Sequence, residues 1–587
     1  MSRINNREVK TYSTFPNTTC PTPGTSASTS TMTPTITITK SQSSGISYKL
    51  KRFWDFVSLL TVEPYLLAFM FVYTMKGVPT TQLAQDKICR FVYNLPANYC
   101  SALPTMTDKD DYLHKKSEIL SEGTSFTLYS VVILTIPSVI ASLFIGSWTD
   151  KYLNAKKVLL IGGALAAICE CSLLIINDYC FEISYYYILL SMVPNVFSGS
   201  LLAILCAIWS YIASTTPPHM RAIRMTFAEI AMALGTPLGT YLGGIVLNTT
   251  PMFSNGQLHN YSGVYAIAGV TYVLALCWTI FMVNEKRDIR LWEQRFRNSC
   301  DDNDVEFETR VENKIKRYDD YRHIHPIKLL VNIKNVKEMW STCAKPRANL
   351  VRIQIWLLFL SVSCYMLSHV GPIIFLFQFT QKVYSWNSQM YSNGSAISSF
   401  TIALATIIIA PVLIRVFKLK DTTLSLIGLL SYFAQNLIRG VVLTSNGFYY
   451  SILPGCLGSV GGIGIKSHFS KIVTPQEIGK VFSCLATIEA ITPLIAAGIF
   501  TTLFNATINT NPGLALIVVA GLLVIPFTAM IWIHFCTKLP DLSGSSDHPS
   551  NDSTIVDDNK FSVNNSINVS NLNDNSCVVK DNTLNQL

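Results

Sequence analysis

The stretch Ile145-Gly-Ser-Trp-Thr-Asp-Lys-Tyr-Leu-Asn-Ala-Lys-Lys-Val158 is a tight charged turn set between two apolar runs. Residues 124–144 precede it, apolar but for scattered hydroxyls, and residues 158–176 follow it, broken only by Glu170. A helix rises about 1.5 Å per residue, so about 20 apolar residues cross about 30 Å of hydrocarbon, and each run is long enough. Gly146 permits close approach of two helices, and Asp150 can cap or salt-bridge a helix end. Lys151, Lys156 and Lys157 mark a cytoplasmic face. Taken alone, these residues also fit an ordinary positive-inside loop.

Composition points the same way. Of 587 residues, 49% are hydrophobic and 14% charged, whereas a soluble chain carries roughly 25% charged residues. The net charge of +9 sits mostly in alternate loops, which is a topology signal and argues against nucleic acid as a partner. The fifteen cysteines fall largely in apolar segments or on the basic side, without a CxxC pair or metal-ligand spacing, so neither metal nor cofactor is expected. The N-terminus opens polar with no visible signal peptide, leaving the first apolar segment to direct insertion.

Hydropathy predicts an all-α membrane protein of twelve transmembrane helices in two six-helix halves. The spans are expected near 53–78, 124–146, 158–176, 185–212, 223–246 and 263–283. After a gap they resume near 352–377, 396–416, 423–444, 448–468, 480–503 and 513–536. Residues 1–52 form a disordered cytoplasmic tail, 53–283 the first half and 284–351 a cytoplasmic central loop. Residues 352–538 form the second half and 539–587 a second disordered cytoplasmic tail. In the central loop a basic run at 287–297 precedes an acidic patch at 301–308, and residues 325–340 read as a short amphipathic helix along the membrane surface or tethering the halves. Six plus six with a long central loop is the layout of paired transporter halves.

Two features test that topology. Loops expected inside carry Lys151, Lys156, Lys157, Arg221, Arg224, Arg415, Lys418, Lys420, Lys471 and Lys480. Sequons at Asn248, Asn260, Asn393 and Asn505 all fall on the opposite face and are candidate glycosylation sites.

The opening stretch resembles the helix 2–3 loop of the major facilitator superfamily, Gly-x-x-x-Asp-Arg-x-Gly-Arg-Arg, through Gly146, Asp150 and Lys151. Leu153 stands in place of the second glycine and the basic pair comes two residues late. Further segments resemble one branch, the proton-coupled folate transporter family (solute carrier family 46). They are Val62-Glu63-Pro64 with Gly77-Val-Pro-Thr-Thr-Gln82, Arg224-Met225 with Glu229, and His369-Val-Gly371 with Ser385-Trp386. Ile465 to Val473 with Gln476 and Glu477, and Gly498-Ile-Phe500, complete the set. The resemblance spans the helices and misses both tails. It implies a major facilitator fold and import of folates or other bulky anionic or amphipathic solutes, often driven by protons.

Ionisable groups inside spans are costly and each needs a reason. Glu229 lies on one helical face with Thr226, Ala233, Thr236 and Thr240, while Gly235, Gly239 and Gly243 line another face suited to helix packing. A desolvated carboxylate there has a raised pKa and can exchange a proton near neutrality. The resemblance implies a proton-coupling acid at this position; a structural carboxylate paired with an Arg is the alternative. His369 shares a stripe with Ser361, Tyr365 and Ser368, a candidate for proton handling or for an interhelical hydrogen bond. Lys466 is a snorkelling cation or, by resemblance, a substrate and proton residue where the family has an arginine. Arg439 lies towards the outer side, pairing with an acid or lining a vestibule, and Glu63, Glu170 and Glu489 are the available acids.

The family carries a cysteine at the position of Ser385 that bridges to the first outer loop. Cys100 fits the loop position, and with the distant partner absent the expected disulfide is local, Cys89–Cys100, with Cys180 competing. The sequence reads as a secondary transporter working by alternating access, with Gly146, Asp150 and Lys151 as a conformational latch. No acyltransferase, zinc-protease or phosphate-loop pattern supports an enzyme. The expected partners are a small-molecule substrate, protons and the lipid bilayer, and the plasma membrane or the lysosome suits an acid-facing carrier. An uncoupled facilitator and a membrane receptor are the rival readings.

Overall fold

The computed structural model of the chain describes residues 60–105, 113–151, 154–253, 255–295, 341, 344–345, 350–473 and 477–536. The expected amphipathic helix at 325–340 and both expected tails lie outside the described residues. The protein is all-helical. Among the described residues, eleven helices are long and apolar enough to cross a membrane. The first span is not among them: it consists of α1 (Glu63–Met75) and α2 (Gly77–Lys87), joined through Lys76 in a right-handed conformation. The second piece is polar, carrying Thr80, Thr81, Gln82, Gln85 and Asp86. Counting it gives the twelve-span layout that the apolar runs predict.

Three boundaries differ from the hydropathy reading. Among the described residues the first span begins at Glu63 and runs on to Lys87, so Lys76 is interior and does not mark a span end. The second, α3 (Leu113–Lys151), begins well before residue 124. Its polar start is held by tertiary contacts: Lys116 Nζ donates to Pro104 O at 3.2 Å and Lys382 Nζ to Ser117 Oγ at 2.9 Å. Apolar length sets the bilayer crossing but does not end a helix whose next turns find partners. The eighth span likewise begins early, at Ser388.

After α3 the chain turns through Asn154, whose φ of 65° is left-handed. Asparagine is among the few side chains that tolerate this region. Then come α4 (Ala155–Tyr179) and a fourth span broken into α5 (Tyr186–Ser191), α6 (Val193–Ser198) and α7 (Ser200–Thr215). The second break falls at Gly199, with φ +79°, where a Cβ would lie 2.6 Å from that of Ala203. Next are α8 (Pro218–Leu247), α9 (Tyr261–Met282) and a short α10 (Glu285–Arg295). The later helices are α11 (Val351–Val383), α12 (Ser388–Arg415), α13 (Asp421–Val441), α14 (Ser445–Tyr450) and α15 (Ile452–Gly455). Last come α16 (Gly458–Ile472), α17 (Ile478–Thr507), α18 (Leu514–Leu522) and α19 (Val524–Cys536).

The described residues form two compact units, one within Met1–Ser101, Ile140–Val331 and Ser388–Phe400, the other within Ala102–Val139, Asn332–Asn387 and Thr401–Leu587. The first unit packs around Tyr65, Phe69, Leu160, Ile204, Tyr211 and Tyr272. The second packs around Ile355, Phe359, Leu429, Phe469, Leu485 and Met530. Glycines bring backbones together in both. Gly235, Gly239 and Gly243 on α8 meet the α1 carbonyls of Leu67, Phe71 and Met75, and a Cβ on Gly239 would lie 2.0 Å from Phe71 O. In the second unit Gly428 on α13 rests against Gly461 on α16, so the two glycines let these helices pack closely.

Candidate functional site

The three intramembrane acids singled out in the sequence, Glu63, Glu170 and Glu489, each lie beside a cation, and these partners are Arg224, Lys76 and Lys466. On the basic-loop side of the first unit, Arg224 Nε donates to Glu63 Oε1 at 2.7 Å, with both side chains buried. The same guanidinium donates to Thr215 and Thr216 at 2.8 and 3.0 Å and stacks 4.8 Å from the Trp292 ring. Thr61 Oγ1 and Tyr211 Oη both donate to Asp288 Oδ2, at 2.8 and 2.6 Å. Helix α10 supplies Glu285, Asp288 and Trp292 at spacings of three and four, which places them on one face. Glu285 accepts from Lys156 Nζ at 2.6 Å, Ser214 Oγ at 3.0 Å and the backbone N–H of Asn154 at 3.2 Å. Lys156, expected to be a topology marker in a loop, is thus a buried ion-pair partner.

Deeper in the unit, Lys76 forms an ion pair with Glu170, both buried. Asn195 Nδ2 donates to the same carboxylate at 2.6 Å. Asn195 lies on α6, between the breaks at Met192 and Gly199. A lysine and a glutamate inside spans can stay charged when each neutralises the other and spare oxygens find donors. The sequence reading included Glu170 but not Lys76 or Asn195.

In the second unit, Lys466 Nζ lies 2.7 Å from Glu489 Oε1, with the two side chains 38% and 26% exposed. His369 stacks on Tyr365 at 6.1 Å and 9° between planes, and lies 5.7 Å from Tyr432. The polar stripe around it faces protein: Tyr365 Oη donates to Gly458 O at 3.2 Å and Ser368 Oγ to Val519 O at 3.1 Å. His369 itself is exposed. Arg439, at the far end of α13, donates to Ser451 Oγ at 2.8 Å and sits 4.2 Å above the Phe448 ring.

Glu229 departs from its expected burial. Its side chain is exposed, and the neighbouring Arg224 is engaged by Glu63. Gly146, Asp150 and Lys151 lie on α3, and the side chains of Asp150 and Lys151 are outside what the structure describes. Cys89 and Cys100 form a disulfide with Cα atoms 5.9 Å apart, and Cys180 is a free thiol. The four sequons do not share one environment. Asn248 is exposed at the end of α8. Asn260 is buried: its Oδ1 accepts from Gly263 N at 2.9 Å as the cap of α9, and its Nδ2 donates to Thr249 Oγ1 at 2.8 Å. Asn393 and Asn505 lie within α12 and α17 and are half-buried, which corrects their placement in open loops. Burial also hides a cluster that sequence reading missed, in which Asp86 accepts from Gln82 Nε2 at 2.8 Å and from Tyr261, with His259 Nδ1 3.0 Å away.

Comparison with known proteins agrees with this architecture. The Drosophila melanogaster protein named "Probable peptidoglycan muropeptide transporter SLC46" is 21% identical over 469 residues, covering 78% of this chain and 82% of its own. The Bos taurus proton-coupled folate transporter is 23% identical, covering 83% of this chain and 95% of its own. The inward-open xylose transporter XylE from E. coli matches in fold with a TM-score of 0.52 at 12% identity, over 81% of this chain and 95% of its own. The profile of the Major Facilitator Superfamily matches residues 99–497. The chain is a multi-pass membrane protein and secondary transporter, and it belongs to the Major Facilitator Superfamily.

Proposed function

We propose that this chain is a proton-coupled symporter for a bulky organic anion or amphipathic solute, in the plasma membrane or the lysosomal membrane, with both tails cytoplasmic. The supporting observation is that Glu229 and His369 are exposed although both lie inside spans. An ionisable group in a span is costly against hydrocarbon, so it faces water or protein. On α8, at about 100° per residue, Glu229 lies roughly half a turn round from Phe227, Ala231 and Leu234, and shares its side with Thr226, Thr236 and Thr240. A polar side opposite an apolar one suits a water-lined path. Lys466, part exposed beside Glu489, supplies a cation for an anionic substrate. The folate and muropeptide named for the two relatives suggest the size and charge of that substrate.

Protonation of Glu229 removes a negative charge that repels an anion, so binding and proton uptake favour each other. The sign is fixed: uptake rises as outer pH falls from about 7.5 to about 5.5. Asp150 and Lys151 are assigned the latch on the basic-loop face, made and broken as access alternates. The test is uptake of organic anions, folate included, into proteoliposomes with an imposed proton gradient. Glu229→Gln should keep exchange between equal pools and lose accumulation, while His369→Ala should shift the pH profile. An accumulating, pH-sensitive Glu229→Gln carrier moves the proton to Glu489 or Glu63. Uptake by the wild type without pH dependence makes it an uncoupled facilitator, and binding without uptake makes it a receptor.

A further inference from the structure

A cavity of about 630 Å³ opens on the first unit between α1, α8, α9 and α10. Its walls are apolar side chains, among them Leu67, Ile230, Leu234, Met282 and Leu291. Four of these are more than a third exposed: Leu67, Leu234, Met282 and Leu291. The polar residues at its edge turn their bonds inwards. Glu63 is bound by Arg224, and Asp288 by Thr61 and Tyr211. Trp278 Nε1 donates to Thr61 O at 2.8 Å, fixing an indole at the rim where such rings settle at a membrane interface.

Arg287 is the cation at this mouth, with its side chain 44% exposed. It spends one N–H on Asp288 Oδ1 at 3.2 Å and another on Met282 O, and its remaining N–H groups are available to a ligand. The acids of α10, Glu285 and Asp288, are buried, whereas Lys286, Arg287 and Arg290 are exposed. Among the described residues, the outer surface of α10 is therefore cationic beside an apolar slot.

We propose that this groove holds an anionic phospholipid from the leaflet on the basic-loop side, with an acyl chain in the slot and its phosphate at Arg287, supported by Lys286 and Arg290. Each cation near an anionic lipid headgroup contributes binding, and basic pockets between spans on the cytoplasmic side favour such headgroups. The site is separate from the polar side of α8 that carries Glu229, so it does not depend on the transport assignment.

The test uses the full-length protein in phosphatidylcholine vesicles containing a minority of phosphatidylserine with a photoactivatable acyl chain, followed by mapping of labelled peptides. Label should fall on α8, α9 and α10 around the groove, and the same probe on phosphatidylcholine should label it about tenfold less. Arg287→Glu should lower the phosphatidylserine label by about tenfold or more. Ala231→Trp, which fills the slot without touching the cations, should lower it too. Soluble glycerophosphoserine should not compete; competition would mean the site takes a headgroup or phosphate alone and would overturn the lipid assignment. Equal labelling by both lipids, or no label in the groove, would also overturn it, and both are read on the wild type without any variant having to fold.

Discussion

Lys156 Nζ lies 2.6 Å from Glu285 Oε1, with the two side chains 1% and 0% exposed. The turn between the second and third spans is thereby tied to the helix that follows the sixth. Glu285 is also reached by Asn154 and Ser214, so its oxygens are satisfied as a buried charge requires.

Removing one partner should therefore cost much more than removing both. Lys156→Ala and Glu285→Ala are each expected to destabilise the protein by about 3–5 kcal/mol, since each leaves a buried charge behind. The double variant Lys156→Met with Glu285→Leu should recover most of that loss. Thermal unfolding of the purified protein measures both, and additive losses in the double variant would show that the two groups do not act as a pair.

Gly239 tests the packing of α8 on α1. Alanine there places a Cβ 2.0 Å from Phe71 O and 2.5 Å from Thr74 Oγ1, so the two backbones must part. The expected cost is about 1–3 kcal/mol. Gly498 has nothing within 4 Å of a Cβ, and Gly498→Ala should be neutral or slightly stabilising through helix propensity. Equal unfolding midpoints for the two variants would contradict the close approach.

These cases mark how far sequence reading reaches. The apolar runs, the glycine spacing on α8 and the proximity of Cys89 to Cys100 are local patterns, and the structure carries each. Pairing of charges is not local: Lys156 and Glu285 are 129 residues apart, and Glu63 and Arg224 are 161 apart. Lys76 was hidden for a second reason. Placing the first span at 53–78 put it at a boundary, where a lysine is unremarkable, whereas the helix runs from Glu63 to Lys87 and buries it against Glu170. Glu285 and Asp288 were masked by the basic run around them, because only the helical face, not the composition, separates their side from that of Lys286 and Arg290.

The outer-face chemistry yields a paired expectation. Cys100→Ser should lower stability by about 2–4 kcal/mol in the chain-entropy account, and peptide mapping without reductant should find Cys89 joined to Cys100 with Cys180 free. A bond to Cys180 instead would reject the pairing.

Glycosylation should distinguish two neighbouring sequons. If this face is luminal or extracellular, Asn248→Gln should remove a glycan, because its side chain is exposed. Asn260→Gln should leave the glycan pattern unchanged and cost about 1 kcal/mol through loss of the α9 cap. Mobility after glycosidase treatment reads the first effect and thermal unfolding the second. A glycan lost from Asn260→Gln would mean that this amide is open when the chain is made.

The buried pair Lys76–Glu170 is the strictest test of what the broken fourth span does. Glu170→Gln leaves a lysine without its counter-charge in a span, and the expected cost is about 3–5 kcal/mol. Exchanging the two residues, Lys76→Glu with Glu170→Lys, should restore abundance, because the Asn195 amide can rotate to present its oxygen to the ammonium. Asn195→Ala is more informative, since it leaves both charges in place and removes only the bond that holds α6, between its two breaks, to the carboxylate. A hydrogen bond to a charged group contributes about 1.5–3 kcal/mol, so the protein should still fold and reach the membrane. If the segment moves during transport, uptake per molecule should fall well below the loss in abundance, because the substitution changes the balance between states and not only the total stability. Uptake per molecule equal to the wild type would show that α6 is held to Glu170 for structure alone.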